Sequence, residues 1–183
     1  MVKNDIQRVE NFPKQGVTFF DWLPILTNWR HFGSMISFLS YEIEKMDPQP
    51  DILLAIEARG FLLATALSLR LGKGVIVARR PKKLPGNIIS TIQTTEYGQD
   101  ALAIQCGHVK NKNVLVIDDI IATGGTYDCV KALIELEGGN CLGLVGVIDL
   151  PYCRTAPLDN YYTIFTANTP ESELVINESI SIK

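Results

Sequence analysis

The chain has 183 residues, of which 46% are hydrophobic and 20% charged, and carries a formal net charge of -3. That balance suits one packed domain with a sizeable core and excludes a disordered or fibrous chain. The negative charge offers no global attraction to nucleic acid or an anionic membrane, and no apolar run is long enough to span a bilayer. Met1 to Glu10 is polar and lacks an apolar h-region, so no secretory signal is expected and a cytoplasmic location is the expectation. Cys106, Cys129, Cys141 and Cys153 stand far apart, with no C-x-x-C pair to clip a metal, and read as idle thiols in a reducing compartment.

Met35, Ile36, Leu39, Ile43 and Met46 recur at steps of three and four, which predicts an amphipathic helix over Phe32 to Met46, stopped by Asp47-Pro48 and Pro50. Asp51 to Ile56 is a short apolar run suited to a strand buried on both faces of a parallel sheet. A helix over Phe61 to Leu71, punctuated by Gly72 and Gly74, and a strand over Val75 to Ala78 complete a β-α-β unit. The basic stretch Arg79 to Lys83 leads through Pro85-Gly86 into alternating segments at Ile88 to Thr94 and Ala101 to Gln105, expected as a flexible hairpin outside the core. Val114 to Ile117 and Leu142 to Ile148 predict further buried strands, with a helix over Thr126 to Leu136 between them. The alternation implies an α/β fold with a mainly parallel sheet. The polar tail beyond Ala167 carries no clear pattern.

The stretch Val114 to Thr126, VLVIDDIIATGGT, runs from a buried strand through two carboxylates into a glycine-rich turn at a helix start. In open α/β sheets ligands bind where strands end and helices begin, and there the backbone N–H groups of Thr123, Gly124, Gly125 and Thr126 can ring a phosphate. Asp118 and Asp119 would repel a phosphate set directly on them, so a sugar diol or a hydrated magnesium ion is expected to face them. Phosphate beside a ribose diol describes a phosphoribosyl group. No G-K-[ST] comes after the turn and no G-x-G-x-x-G opens a helix, which excludes a P-loop and a dinucleotide fingerprint.

This string resembles the phosphoribosyl pyrophosphate motif of type I phosphoribosyltransferases. Phe12-Pro13, Gly16 to Asp21, Glu57-Ala58-Arg59-Gly60-Phe61, Lys83-Leu84-Pro85 and Glu96-Tyr97-Gly98 resemble the adenine phosphoribosyltransferases, in that family's order, over about Asn11 to Leu150. The resemblance implies one domain over 1–183, with a small N-terminal hood (1–30), a flexible hairpin flap (84–106) and a tail (167–183) of unassigned role. It implies transfer of the phosphoribosyl group of phosphoribosyl pyrophosphate to adenine, giving AMP and pyrophosphate, in a homodimer. Magnesium is implied as cofactor, held mainly by the substrate with no direct side-chain ligand.

By the same resemblance Asp118, Asp119 and Ala122 to Thr126 bind the phosphoribosyl group. Glu57, Ala58, Arg59, Arg79 and Lys83 take the pyrophosphate, and the loop from Glu57 to Gly60 often holds a non-proline cis peptide in that family. Thr18, Phe19, Phe20 and Arg59 face the base, with Arg59 and Glu96 as the catalytic pair. Glu96 would manage the proton of the purine imidazole, while Leu84 and Tyr97 help the flap exclude water. Arg80 and Lys82 stay open, and His31 and His108 show no ligand or triad spacing.

Phe20, Trp22 and Leu23 stand where the family usually carries a basic residue, an aliphatic one, and serine or threonine. The same chemistry on hypoxanthine, guanine or xanthine therefore stays open. So does a sensor that binds phosphoribosyl pyrophosphate without turnover, although no helix-turn-helix segment precedes the fold.

Overall fold

The computed structural model describes residues 2–95, 98–154 and 156–177. Two short strands, β1 (Gln7–Glu10) and β2 (Thr18–Asp21), pair antiparallel with Gln7 opposite Asp21 and form a small sheet of their own. A 3-10 turn over Leu23–Thr27 leads into α1 (Trp29–Glu44). This helix begins three residues before the apolar spacing predicts, because the Asn28 side chain caps it by accepting from the backbone N–H groups of Arg30 and His31 at 3.1 and 3.4 Å. Met35, Ile36, Leu39 and Ile43 form its buried stripe, as their spacing requires.

The remaining elements keep the alternation of the sequence. They are β3 (Ile52–Ile56), α2 (Gly60–Leu71), β4 (Gly74–Ala78), the hairpin β5 (Ile88–Thr95) and β6 (Gly98–Gln105), β7 (Asn113–Ile117) and the two-residue β8 (Ile120–Ile121). After them come α3 (Gly125–Leu136), β9 (Asn140–Asp149), β10 (Tyr161–Thr166) and β11 (Val175–Ile176). The central sheet runs β11-β10-β9-β7-β3-β4, parallel throughout except where β11 turns back on β10, and β8 joins it against β9.

Strand alternation divides the core between the two faces. Leu53 and Ala55 of β3, Leu115 and Ile117 of β7, and Val145 and Val147 of β9 pack with α1 and α2. Ile52, Leu54 and Ile56, Val114 and Val116, and Leu144 pack with Val130, Leu133 and Ile134 of α3. Helices cover both faces, which is why these strands read as continuous apolar runs.

Two expectations need correction. The hairpin does not lie wholly outside the core: Ala103 and Ile104 are fully buried, and Arg79 and Ala103 exchange backbone hydrogen bonds of 3.0 and 2.8 Å that tie β6 to the end of β4. The tail beyond Ala167, which carries no clear pattern in sequence, supplies β11, and β10 comes just before it. The tail beyond β10 is held by Asn177, whose amide donates to the carbonyl of Thr163 at 2.9 Å. The two histidines stay outside the site: His31 pairs with Asp5 at the start of α1, and His108 sits in the turn after β6.

Candidate active site

Because β3, β7 and β9 are parallel, their carboxyl ends reach one edge of the sheet, and the residues just past each strand build the site. Glu57, Ala58 and Arg59 come after β3, Asp118 and Asp119 after β7, and Leu150, Tyr152 and Cys153 after β9. Together with Gly16 to Phe20 from the hood and Pro170 from the tail they line a cavity of about 620 Å³. A second cavity of about 400 Å³ shares Glu57, Ala58 and Thr126 with the first and adds Arg80 and Lys83.

The residues after β3 and β4 carry the positive charge. The Glu57–Ala58 peptide is cis, the feature the family resemblance implies for this loop. Lys83 and Arg79 both pair with Oε1 of Glu57, Arg79 at 3.2 Å. First Lys83 and then Arg79 hold this carboxyl far below its usual range, at about 2. Arg79 also lies 5.6 Å from the Phe61 ring centroid. Arg80, undecided from sequence, lines the second cavity beside Lys83, while Lys82 is exposed on the turn.

The β7 arm carries the negative charge. Asp119 is 5% exposed, and its Oδ2 accepts from the Trp22 indole N–H at 2.8 Å and pairs with Nε of Arg59 at 2.7 Å. Asp118 accepts the backbone N–H of Asp119 at 2.8 Å. Burial, and next the neighbouring Asp119 carboxylate, push the Asp118 carboxyl well above the normal range. After β8 the chain turns through Ala122 and Thr123 to Gly124, whose φ of 87° lies in the left-handed region, and α3 starts there. Thr123, Gly124 and Thr126 line a pocket of about 80 Å³ that Asp118 also borders, so the first turn of α3, where the Gly125 N–H donates to Oγ1 of Thr123 at 3.4 Å, sits next to the carboxylates.

The turn is fastened from behind by residues that sequence reasoning missed. Arg154 donates to the carbonyl of Ala122 at 3.1 Å and to the Tyr161 hydroxyl at 3.0 Å, and pairs with the buried Asp149. Tyr161 in turn donates to Asp149 at 3.0 Å. The signal available was Asp149 itself, an acid at the end of an apolar strand, as Asp118 is.

Thr18, Phe19, Phe20, Glu57, Ala58, Arg59, Asp118, Asp119, Ala122 and Thr126 thus meet in one cavity. Phe19 and Phe20 differ in kind: Phe20 is 3% exposed and belongs to the core, whereas Phe19 receives the Arg59 guanidinium on its ring at 4.9 Å and the edge of Phe12 at 5.3 Å. Leu84 caps the turn at Lys83. Glu96 and Tyr97 lie outside the described residues. Trp22, the buried partner of Asp119, was visible in sequence only as a departure from the family's aliphatic residue.

Known proteins are similar to this chain in sequence and fold. The phosphoribosyl transferase domain family matches residues 25–178. The adenine phosphoribosyltransferase of Cenarchaeum symbiosum is 40% identical over 143 residues, covering 76% of this chain and 82% of the relative. That of Prochlorococcus marinus is 38% identical over 146 residues, covering 79% and 84%. The solved Saccharomyces cerevisiae adenine phosphoribosyltransferase, complexed with D-2,5-dideoxy-2,5-imino-altritol 1,6-bisphosphate and adenine, superposes with a TM-score of 0.81 at 33% identity over 88% of this chain and 95% of its own. With the family match, the relatives' identity and the shared fold in agreement, the chain belongs to the adenine phosphoribosyltransferases of the phosphoribosyl transferase family.

Proposed function

We propose that the protein transfers the 5-phosphoribosyl group of phosphoribosyl pyrophosphate to adenine, releasing pyrophosphate and forming AMP in purine salvage. The observation that carries this reading is the meeting of the β7 carboxylates, Ala122 and Thr126 of the α3 turn and the Phe19–Arg59 pair in one cavity, with Thr123 and Gly124 in a small pocket that shares Asp118 with it and Lys83 in the cavity adjoining it.

The 5-phosphate takes the N–H groups of Thr123 to Thr126, and Asp118 and Asp119 are oriented to receive the ribose hydroxyls. Pyrophosphate lies along Ala58, Arg59 and Lys83, with Arg79 behind Glu57 adding positive charge where the leaving anion grows. Adenine lies against the flat wall of Phe19 and Arg59, below the backbone of Thr18. Phe20 belongs to the core, so its departure from the family pattern leaves this wall intact. Glu96 holds the imidazole proton of the purine, and Tyr97 and Leu84 help to exclude water that would otherwise attack the sugar carbon.

Asp118 and Asp119 stand side by side against the single guanidinium of Arg59, and the charged form of Asp118, which burial and Asp119 disfavour, is one that a hydrated divalent cation on the substrate would favour. Magnesium, held mainly by the substrate, would supply Lewis acidity and a template there, with Asp118 and Asp119 the carboxylates that would face its water shell. A homodimer is supported by the outward face of α2, where Leu62 and Leu69 are 44% and 84% exposed, about two helical turns apart and beside the pyrophosphate arm. No described helix is long and apolar enough to cross a membrane, and a cytoplasmic setting accords with a substrate made inside cells.

Offering adenine, hypoxanthine, guanine and xanthine in parallel, with phosphoribosyl pyrophosphate and magnesium, tests this reading. Turnover of adenine alone, abolished by a chelator, is the expected result. Turnover of another base would overturn the specificity, and substrate binding without turnover would point to the sensor.

A further inference from the structure

Trp22 is fully buried, and its one polar atom, the indole N–H, is spent on a single oxygen, Oδ2 of Asp119. That same oxygen pairs with Nε of Arg59, and the Arg59 guanidinium rests on the ring of Phe19. The chain of contacts therefore runs from the hood to the sheet and back to the hood. Asp119 is held by two donors on one oxygen, one of them rigid because indole has no freedom within a packed core. An aliphatic residue at this position packs but donates nothing.

We propose that Trp22 is a positioning residue for the transfer reaction: its N–H fixes the Asp119 carboxylate, and Asp119 fixes the orientation of the Arg59 guanidinium at the wall of the base site. The proposal rests on the proposed function for the role of Arg59. Pairing through Nε sets the rotation of the guanidinium plane, because Nε is the nitrogen nearest the stem and leaves the fork no second orientation at the same carboxylate. When the indole N–H is lost, Oδ2 keeps one mobile donor and the carboxylate is free to rotate toward Asp118 or solvent. The guanidinium then samples several orientations over Phe19 in place of one. A misplacement of this size at a reacting centre is felt in turnover and in the affinity for the base that contacts Arg59, and much less in the affinity for the phosphate held by α3.

A double-mutant cycle tests this. Trp22→Phe is expected to lower kcat/KM for adenine roughly tenfold while changing KM for phosphoribosyl pyrophosphate less than about twofold. In an Arg59→Ala background the same substitution is expected to change kcat/KM less than about twofold. Equal losses in both backgrounds would overturn the proposal, because Trp22 would then act by packing alone. Should Trp22→Phe fail to fold, β-(3-benzothienyl)alanine at position 22 in a Trp29→Phe background keeps the bicyclic shape without the donor, and the same two comparisons apply. A second readout does not depend on turnover: the Arg59 Nε–H proton is expected to exchange slowly with solvent in nuclear magnetic resonance spectra of the unaltered protein and quickly in Trp22→Phe. Slow exchange in both would also overturn the proposal. Failure of the unaltered protein to convert adenine would count against the proposed function and leave this second comparison standing.

Discussion

A Cβ built on Gly60 would stand 2.7 Å from the carbonyl oxygen of Ile117, so the first residue of α2 and the last of β7 approach as closely as a missing side chain permits. Arg59 precedes one and Asp118 comes after the other, which makes this contact the hinge pin between the positive and negative arms of the site. Gly60→Ala is expected to force the backbones apart at a cost of about 1–3 kcal/mol, more than alanine's helix preference returns at a first turn. Thermal unfolding should show a fall of several degrees, at about 2–4 °C per kcal/mol for a chain of this size. Activity should fall further than the stability loss explains, because the two arms separate.

Arg154→Met is expected to be among the most damaging single changes outside the cavity. It leaves Asp149 buried with only the Tyr161 hydroxyl, and it removes the donor from the Ala122 carbonyl. Breaking a buried pair on one side costs about 3–5 kcal/mol, or on the order of 10 °C in melting temperature. Where the variant remains folded, KM for phosphoribosyl pyrophosphate should rise while KM for adenine holds. An unchanged melting temperature would refute the clamp.

Asp118→Asn is expected to stabilise the fold and abolish the activity. Burial and Asp119 both push the Asp118 carboxyl upward, which means that the charged form is the disfavoured one in the folded protein. Asparagine keeps an acceptor for the Asp119 backbone N–H and brings no charge. A melting temperature raised by on the order of a few degrees at neutral pH, with loss of turnover, is the expected pair of results.

Acid should weaken the pyrophosphate arm in a defined window. The folded Glu57 carboxyl sits at about 2 against an ordinary 4.5, so its pairing with Lys83 and Arg79 contributes stability that is whole above about pH 4.5 and is lost as the pH falls toward 2. Denaturant midpoints measured from pH 5 down to pH 2 should fall more steeply for the unaltered protein than for Glu57→Gln. Parallel slopes would show that Glu57 gains nothing from its two partners.

The sequence made much of this legible because a few physical demands leave plain marks. Ile52 to Ile56 and Val114 to Ile117 read as strands since helices cover both of their faces, and α1 read as a helix since only one of its faces is covered. Asp118, Asp119 and the turn at Gly124 were identifiable because a strand end, two acids and a left-handed glycine in succession have few uses. What escaped were pairings across long separations. Nothing near Arg59 in sequence reveals that it pairs with Asp119, and a tryptophan at position 22 looks like any other core residue until its N–H is traced to a partner. The base of the hairpin escaped as well, because alternating segments such as Ala101 to Gln105 suit a solvent-facing ribbon as well as one whose Ala103 and Ile104 are buried.

The chain has two tryptophans, and the fold places them in opposite settings, Trp22 with no exposed surface and Trp29 with 74% of its surface exposed. The protein therefore carries two optical signals that separate by colour, a blue-shifted emission from the buried indole beside Asp119 and a red-shifted one from the start of α1. A water-soluble quencher removes the second and spares the first. What remains reports the seam between hood and sheet, so the arrival of a nucleotide beneath the hood can be tracked by light in the unlabelled protein.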